Sequence, residues 1–94
     1  MHVITKRRLT DFSARYPQSH DALIAWHRGM DKGDFSNFAE LKAFFGSVDY
    51  VKGKYIFDIG GNKYRLITAI HFDRKKVFVR HVLTHAEYDK GAWK

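Results

Sequence analysis

The order of patterns along the chain predicts an α+β domain: N-terminal helices packed on a small antiparallel sheet, with a short C-terminal helical turn. Three observations carry this. Apolar residues recur at helical spacing as far as Gly46 and alternate singly after it. Gly60-Gly61-Asn62 and Asp73 to Lys75 cut the alternating half into three runs. The length, 94 residues with no repeat, linker or low-complexity tract, suits one domain over 1–94 and excludes a two-domain cofactor-binding enzyme.

Taken in order, His2 to Thr5 is a short apolar start suited to an edge strand. Leu9, Phe12 and Tyr16 then recur at helical spacing until Pro17 stops the pattern. Ser19 is placed to cap a second helix whose buried stripe is Leu23, Trp26 and Met30, with Gly33 as its stop. A third, short helix follows Ser36 or Asn37. Phe38, Leu41 and Phe45 face inward there, Glu40 can close a capping box on Asn37, and Gly46 ends it.

Beyond Gly46, Val51, Tyr55, Phe57 and Ile59 alternate with Lys52, Lys54 and Asp58 as a first strand. A two-residue turn at Gly60-Gly61 sets Ile59 opposite Asn62, so odd positions of this strand share a face with even positions of the next. A second two-residue turn at Arg74-Lys75 extends the rule to Val77–Leu83, apolar on both sides and read as the central strand. The core face then collects Tyr55, Phe57, Tyr64, Leu66, Ile70 and Phe72, with Val51, Ile59, Val77, Val79, His81 and Leu83. The opposite face collects Lys52, Lys54, Lys63, Arg65, His71, Lys76 and Arg80, with Ile67, Ala69, Phe78, Val82 and Thr84 between them. Arg80 depends most on register, because a three-residue second loop would reverse it.

Charge gives this second face a meaning. Lys plus Arg number 17 against 10 acids, a net charge of +7. Up to Gly46 there are seven bases and five acids, a balance of +2; from Ser47 there are ten and five, a balance of +5. A basic face broken only by Asp58, with an apolar floor, suits phosphates and bases of a nucleic acid. The plainer alternative is a solvated outer face. Arg65 and Arg80 stand inside strands among apolar residues, and a half-buried guanidinium requires an anion. That anion is either a structural carboxylate such as Asp58 or a substrate phosphate.

The chain has no cysteine, which excludes disulfides, thiolate metal sites and a cysteine nucleophile, and favours a reducing, cytoplasmic setting. No apolar run reaches the ~20 residues of a membrane span, and the start has no signal-like stretch. Of the six histidines only His81 and His85 are four apart, and strand phase puts them coreward, so neither a metal nor another cofactor is expected. Thr84 to Lys90 reads as a polar helical turn capped by Thr84, with His85 and Tyr88 on one side of it. A histidine or tyrosine beside two arginines has the groups for metal-free RNA cleavage: a base for the 2′-hydroxyl, cations for the phosphorane and an acid for the leaving oxygen.

The segment from Phe57 to Ile67, FDIGGNKYRLI, and that from Val79 to Asp89, VRHVLTHAEYD, together resemble the HigB toxins of bacterial type II toxin–antitoxin systems, within the RelE-like group of mRNA interferases. The start, MHVIT with an early helix and Tyr16-Pro17, resembles them too. The resemblance implies a RelE-like fold, ribosome-dependent cleavage of mRNA, and neutralisation by a HigA-like helix-turn-helix antitoxin. DNA would be met only through the antitoxin complex. Carried over by position, Arg65 and Arg80 match the strand arginines, while His85 and Tyr88 fall in the C-terminal site region, either being a candidate base or acid. Lys52, Lys54, Lys63, Lys76 and Lys90 are the expected RNA contacts. A non-catalytic RNA- or ribosome-binding module using the same face is the alternative.

Overall fold

The computed structural model describes residues 1–93. Along the chain run β1 (His2–Ile4), α1 (Lys6–Arg15), a 3₁₀ turn at Pro17–Ser19, α2 (His20–Lys32), α3 (Phe38–Phe44), β2 (Asp49–Val51), β3 (Lys54–Ile59), β4 (Tyr64–His71), β5 (Lys76–Thr84) and α4 (His85–Lys90). The strands form one sheet in the order β1-β5-β4-β3-β2. It is mixed rather than wholly antiparallel, because β1 lies parallel to β5. The α+β class and the helices-then-strands order are as the sequence predicts.

The helical stripes bury as their spacing requires. Leu9 and Phe12 of α1, and Leu23, Trp26 and Met30 of α2, pack on Phe57, Ile59, Tyr64, Leu66, Val77 and Val79 of the sheet. Ser19 is not a cap. Its hydroxyl donates back to the Tyr16 carbonyl at 2.7 Å, and it makes no cap bond to α2. Asn37 does cap α3, its side chain accepting from the Glu40 N–H, but the Glu40 carboxylate accepts from Ser36 N rather than from Asn37. Phe45 lies just outside α3 as its C-terminal cap.

Three departures decide what each sheet face carries. First, the run read as one strand from Val51 is a hairpin. Lys52 and Gly53 both take positive φ, 50° and 81°, the backbone of a two-residue turn that matches strand twist. Val51 therefore opposes Lys54 and turns away from the core, and Lys52 leaves the sheet face for the turn.

Second, the loop after β3 spans four residues, with Ile59 opposite Tyr64. Gly60, Gly61 and Asn62 are all left-handed there, and a Cβ on Gly60 would meet the Tyr64 ring at 3.2 Å. The extra two residues leave the parity intact, so β3 and β4 present the faces expected. Lys63 sits in this loop, off the strand.

Third, β5 holds a bulge. The β4–β5 loop also has four residues and keeps parity, with His71 opposite Lys76 and Thr68 opposite Val79. Then Ile67 opposes His81, leaving Arg80 as one extra residue. From there the phase reverses: Val82 and Thr84 turn to the helical side, while His81 and Leu83 turn to the other. The central strand is β4, buried through most of its length, and not β5. Because β1 covers only Lys76–Phe78, β5 from Val79 onward is a sheet edge.

Candidate RNA-binding face

The face away from α1, α2 and α3 is divided in two by the end of the chain. Thr84 caps α4 with a full capping box: its hydroxyl accepts from the Glu87 N–H, and the Glu87 carboxylate accepts from Thr84 N. That bond holds the Glu87 carboxyl below the usual range. His85 N donates to the Lys63 carbonyl, which pins the helix beside the start of β4. Gly91, at φ 72°, then turns the chain, and Trp93 lies down on the sheet. Trp93 is 7% exposed and forms a second small core with Ile56 and Ile67, against which Val51, Leu83 and Tyr88 pack. The face expected to be an open groove is thus closed over this half.

Arg65 belongs to the closed half. It is 8% exposed. Its Nε lies 3.1 Å from Asp58 Oδ1 directly across the β3–β4 pair, and its terminal nitrogen donates to the carbonyls of Asn62 and Tyr64. The guanidinium also stands 5.3 Å from the centre of the Tyr88 ring. Of the two anions open to Arg65, Asp58 is the one it meets. Tyr88 is held between Arg65 and Trp93, its ring stacked on the indole at 5.0 Å, with Trp93 Nε1 donating to its carbonyl at 3.0 Å.

A measurable cost follows from that pairing. Asp58→Ala leaves a buried guanidinium with only carbonyl acceptors, and should lower stability by about 3 kcal/mol, the low end for breaking a buried pair because Asp58 is partly exposed. Denaturant unfolding of the variant measures it, and an unchanged midpoint would rule the pair out as a structural tie.

The other half is open and basic. Opposing positions place Lys54, Ala69 and Phe78 in one row and His71 beside Lys76 in the next, with Arg80 and His81 at the bulge. None of these strand positions is acidic. Arg80 is exposed, its guanidinium over the Phe78 ring at 5.3 Å, and among the described residues no carboxylate pairs with it. His71 packs edge-on against the same ring at 5.4 Å. Beyond the effect of burial, the Lys54 charge acts on His81 across β4, lowering its pKa.

Of the expected site residues, then, Lys54, Lys76 and Arg80 share the open half. Lys52 and Lys63 lie in turns at opposite ends of β3, and Lys90 ends α4. His85 is exposed at the start of α4, its Nε2 3.1 Å from Asp89 Oδ2. Tyr88 faces the sheet. His81, expected in the core, instead stands beside Arg80, and sequence reasoning missed it because strand alternation does not reveal a bulge. Among the described residues no group of three or more histidines and carboxylates could hold a metal ion, and no helix is long and apolar enough to cross a membrane.

Residues 19–91 match the family model HigB_toxin, described as the RelE-like toxic component of a toxin–antitoxin system. Over 92 residues the chain is 39% identical to the mRNA interferase toxin HigB of Escherichia coli K12, covering 95% of this chain and 88% of that one. The mRNA interferase HigB of Shigella flexneri gives the same identity and coverage. That of Escherichia coli O6:H1 is 38% identical over 93 residues, covering 96% and 90%.

Proposed function

Because the chain belongs to the HigB family of RelE-like toxins, we propose that it acts as the mRNA interferase of a toxin–antitoxin system, an endoribonuclease that cuts mRNA on the ribosome. The observation that carries this is the open half of the outer sheet face, where an exposed Arg80 on the Phe78 ring stands with Lys54 among strand positions that hold no carboxylate. Such a surface binds a phosphodiester by charge and stacks a base on its apolar floor.

In this reading Arg80 and Lys54 hold the scissile phosphate, and their charge stabilises the extra negative charge as the 2′-oxygen attacks. Lys52, Lys63, Lys76 and Lys90 contact backbone on either side. Arg65 works through Tyr88, fixing α4 against the sheet. His85, its Nε2 3.1 Å from Asp89 Oδ2, is the candidate proton donor to the leaving 5′-oxygen. The partner antitoxin is of the HigA-like helix-turn-helix kind, the ribosome presents the mRNA, and the reaction takes place in the cytoplasm.

Ribosomes translating a defined mRNA should yield fragments ending in a 2′,3′-cyclic phosphate and a 5′-hydroxyl when the protein is added, as 2′-oxygen attack demands. The same mRNA without ribosomes should stay whole. Inhibited translation with no new RNA ends would instead identify a non-catalytic ribosome-binding module.

A further inference from the structure

His81 is where the bulge in β5 delivers its main effect. In a regular strand Arg80 and His81 would point to opposite faces. The extra residue brings both out on the outer side, and bulges commonly serve to re-aim a side chain next to an active site. The position lies on the exposed edge of the sheet, beyond the end of β1, so an extended RNA strand can approach it without displacing protein.

Two clefts meet at this residue. One is lined by Arg8, Asp11, Phe12, Arg15 and Val82 besides His81. The other is lined by Leu83, Glu87, Lys90, Ala92 and Trp93 besides His81. A chain running from one cleft to the other passes over His81 with cations on both sides. Among the described residues no hydrogen bond ties the imidazole to a neighbour, so it is not a packed structural histidine.

We propose that His81 is the general base of the cleavage, taking the proton of the attacking 2′-hydroxyl while Arg80 and Lys54 hold the phosphate; this rests on the interferase reading above. The O2′–P bond forms as the P–O5′ bond breaks. The 2′-proton goes to the imidazole, the leaving 5′-oxygen takes a proton from His85 or from water, and His81 returns its own to solvent. Its surroundings suit the task. Partial burial, then repulsion from Arg8, Lys54 and Arg80, lowers its pKa below the ordinary histidine value, so the ring is neutral and able to accept a proton at neutral pH. His85 has a different setting, exposed at the start of α4 with Asp89 Oδ2 3.1 Å from its Nε2.

Single-turnover cleavage on programmed ribosomes, followed across pH, tests this. The parent rate should fall on the acid side with an apparent pKa below that of ordinary histidine, as the base becomes protonated. His81→Ala and His81→Gln should each slow cleavage by about 10²–10⁴-fold, with ribosome binding and thermal unfolding unchanged. Arg8→Gln removes one of the repelling charges and should move the acid limb to higher pH, a shift that a merely structural histidine would not give. His85→Ala should leave that limb where it is. Cleavage by both His81 variants at the parent's rate, or an acid limb unmoved by Arg8→Gln, overturns the assignment while leaving the interferase reading standing. A parent that produces no RNA ends at all overturns both.

Discussion

Arg80→Ala should lower the rate of mRNA cleavage by about 10²–10³-fold, the loss that accompanies removal of one donor from a developing oxyanion. The expectation rests on what Arg80 does and does not touch. Its guanidinium is exposed over Phe78 and, among the described residues, has no carboxylate partner. Losing it therefore breaks no ion pair, and an exposed substitution of this kind normally changes stability by about 0.5 kcal/mol or less. Activity and stability should separate cleanly. Arg80→Lys should recover only part of the rate, because an ammonium keeps the charge but lacks the planar fork that grips a phosphate at two points. Single-turnover cleavage with parallel thermal unfolding reads both quantities. Should Arg80→Ala cleave like the parent, the open half of the sheet is not where the phosphate sits.

Trp93→Ala should act in the opposite way, through the fold. The indole is almost fully buried on a face where Ile56 and Ile67 would otherwise meet water, and it carries the stack with Tyr88. Truncating a buried Trp costs about 3–5 kcal/mol. In a domain of this size that corresponds to a fall in Tm of about 12 °C or more. Because Trp93 is the clamp that holds α4 to the sheet, the amides of α4 should lose hydrogen-exchange protection before those of β4 do. Tyr88 and Arg65 would be uncovered together, and cleavage should fall as a secondary consequence. Trp93→Phe keeps a ring on Tyr88 and loses the 3.0 Å bond to its carbonyl, so it should cost markedly less than the alanine change. A Trp93→Ala protein melting with the parent would mean that the second core adds nothing to the fold.

Much of this molecule is legible in local sequence, and the reason is that the features concerned are themselves local. The stripes Leu9-Phe12 and Leu23-Trp26-Met30 repeat at the helical period, so their burial follows once anything apolar packs against them. Thr84 and Glu87 stand three apart at a helix start, and the capping box closes within one turn. Gly60-Gly61-Asn62 marks a reversal whether the loop holds two residues or four, because either length preserves which side chains share a face. The motif around Arg65 and the one from Arg80 to Asp89 suffice to indicate the family.

The make-up of the functional face was decided elsewhere. Val51 leaves the core because Lys52 accepts a left-handed backbone beside Gly53, a choice favoured by pairing of the flanking strands rather than by lysine itself. His81 and Leu83 exchange sides with Val82 and Thr84 because one residue, Arg80, is left out of the β4–β5 ladder. Arg65 meets Asp58 across the β3–β4 hairpin, and Trp93 covers Ile56 and Ile67 through a contact between segments far apart in the chain. Alternation has a period of two, so a single unpaired residue reverses every assignment after it, and nothing in the local pattern marks where that residue falls. By itself the sequence determined the helices, the main strands and their order, and the basic character of one face, but not the short strand β2. Tertiary packing decided which half of that face stays open and brought His81 onto it, because only the pairing of whole strands and the return of the chain end to the sheet determine which side chains lose their water.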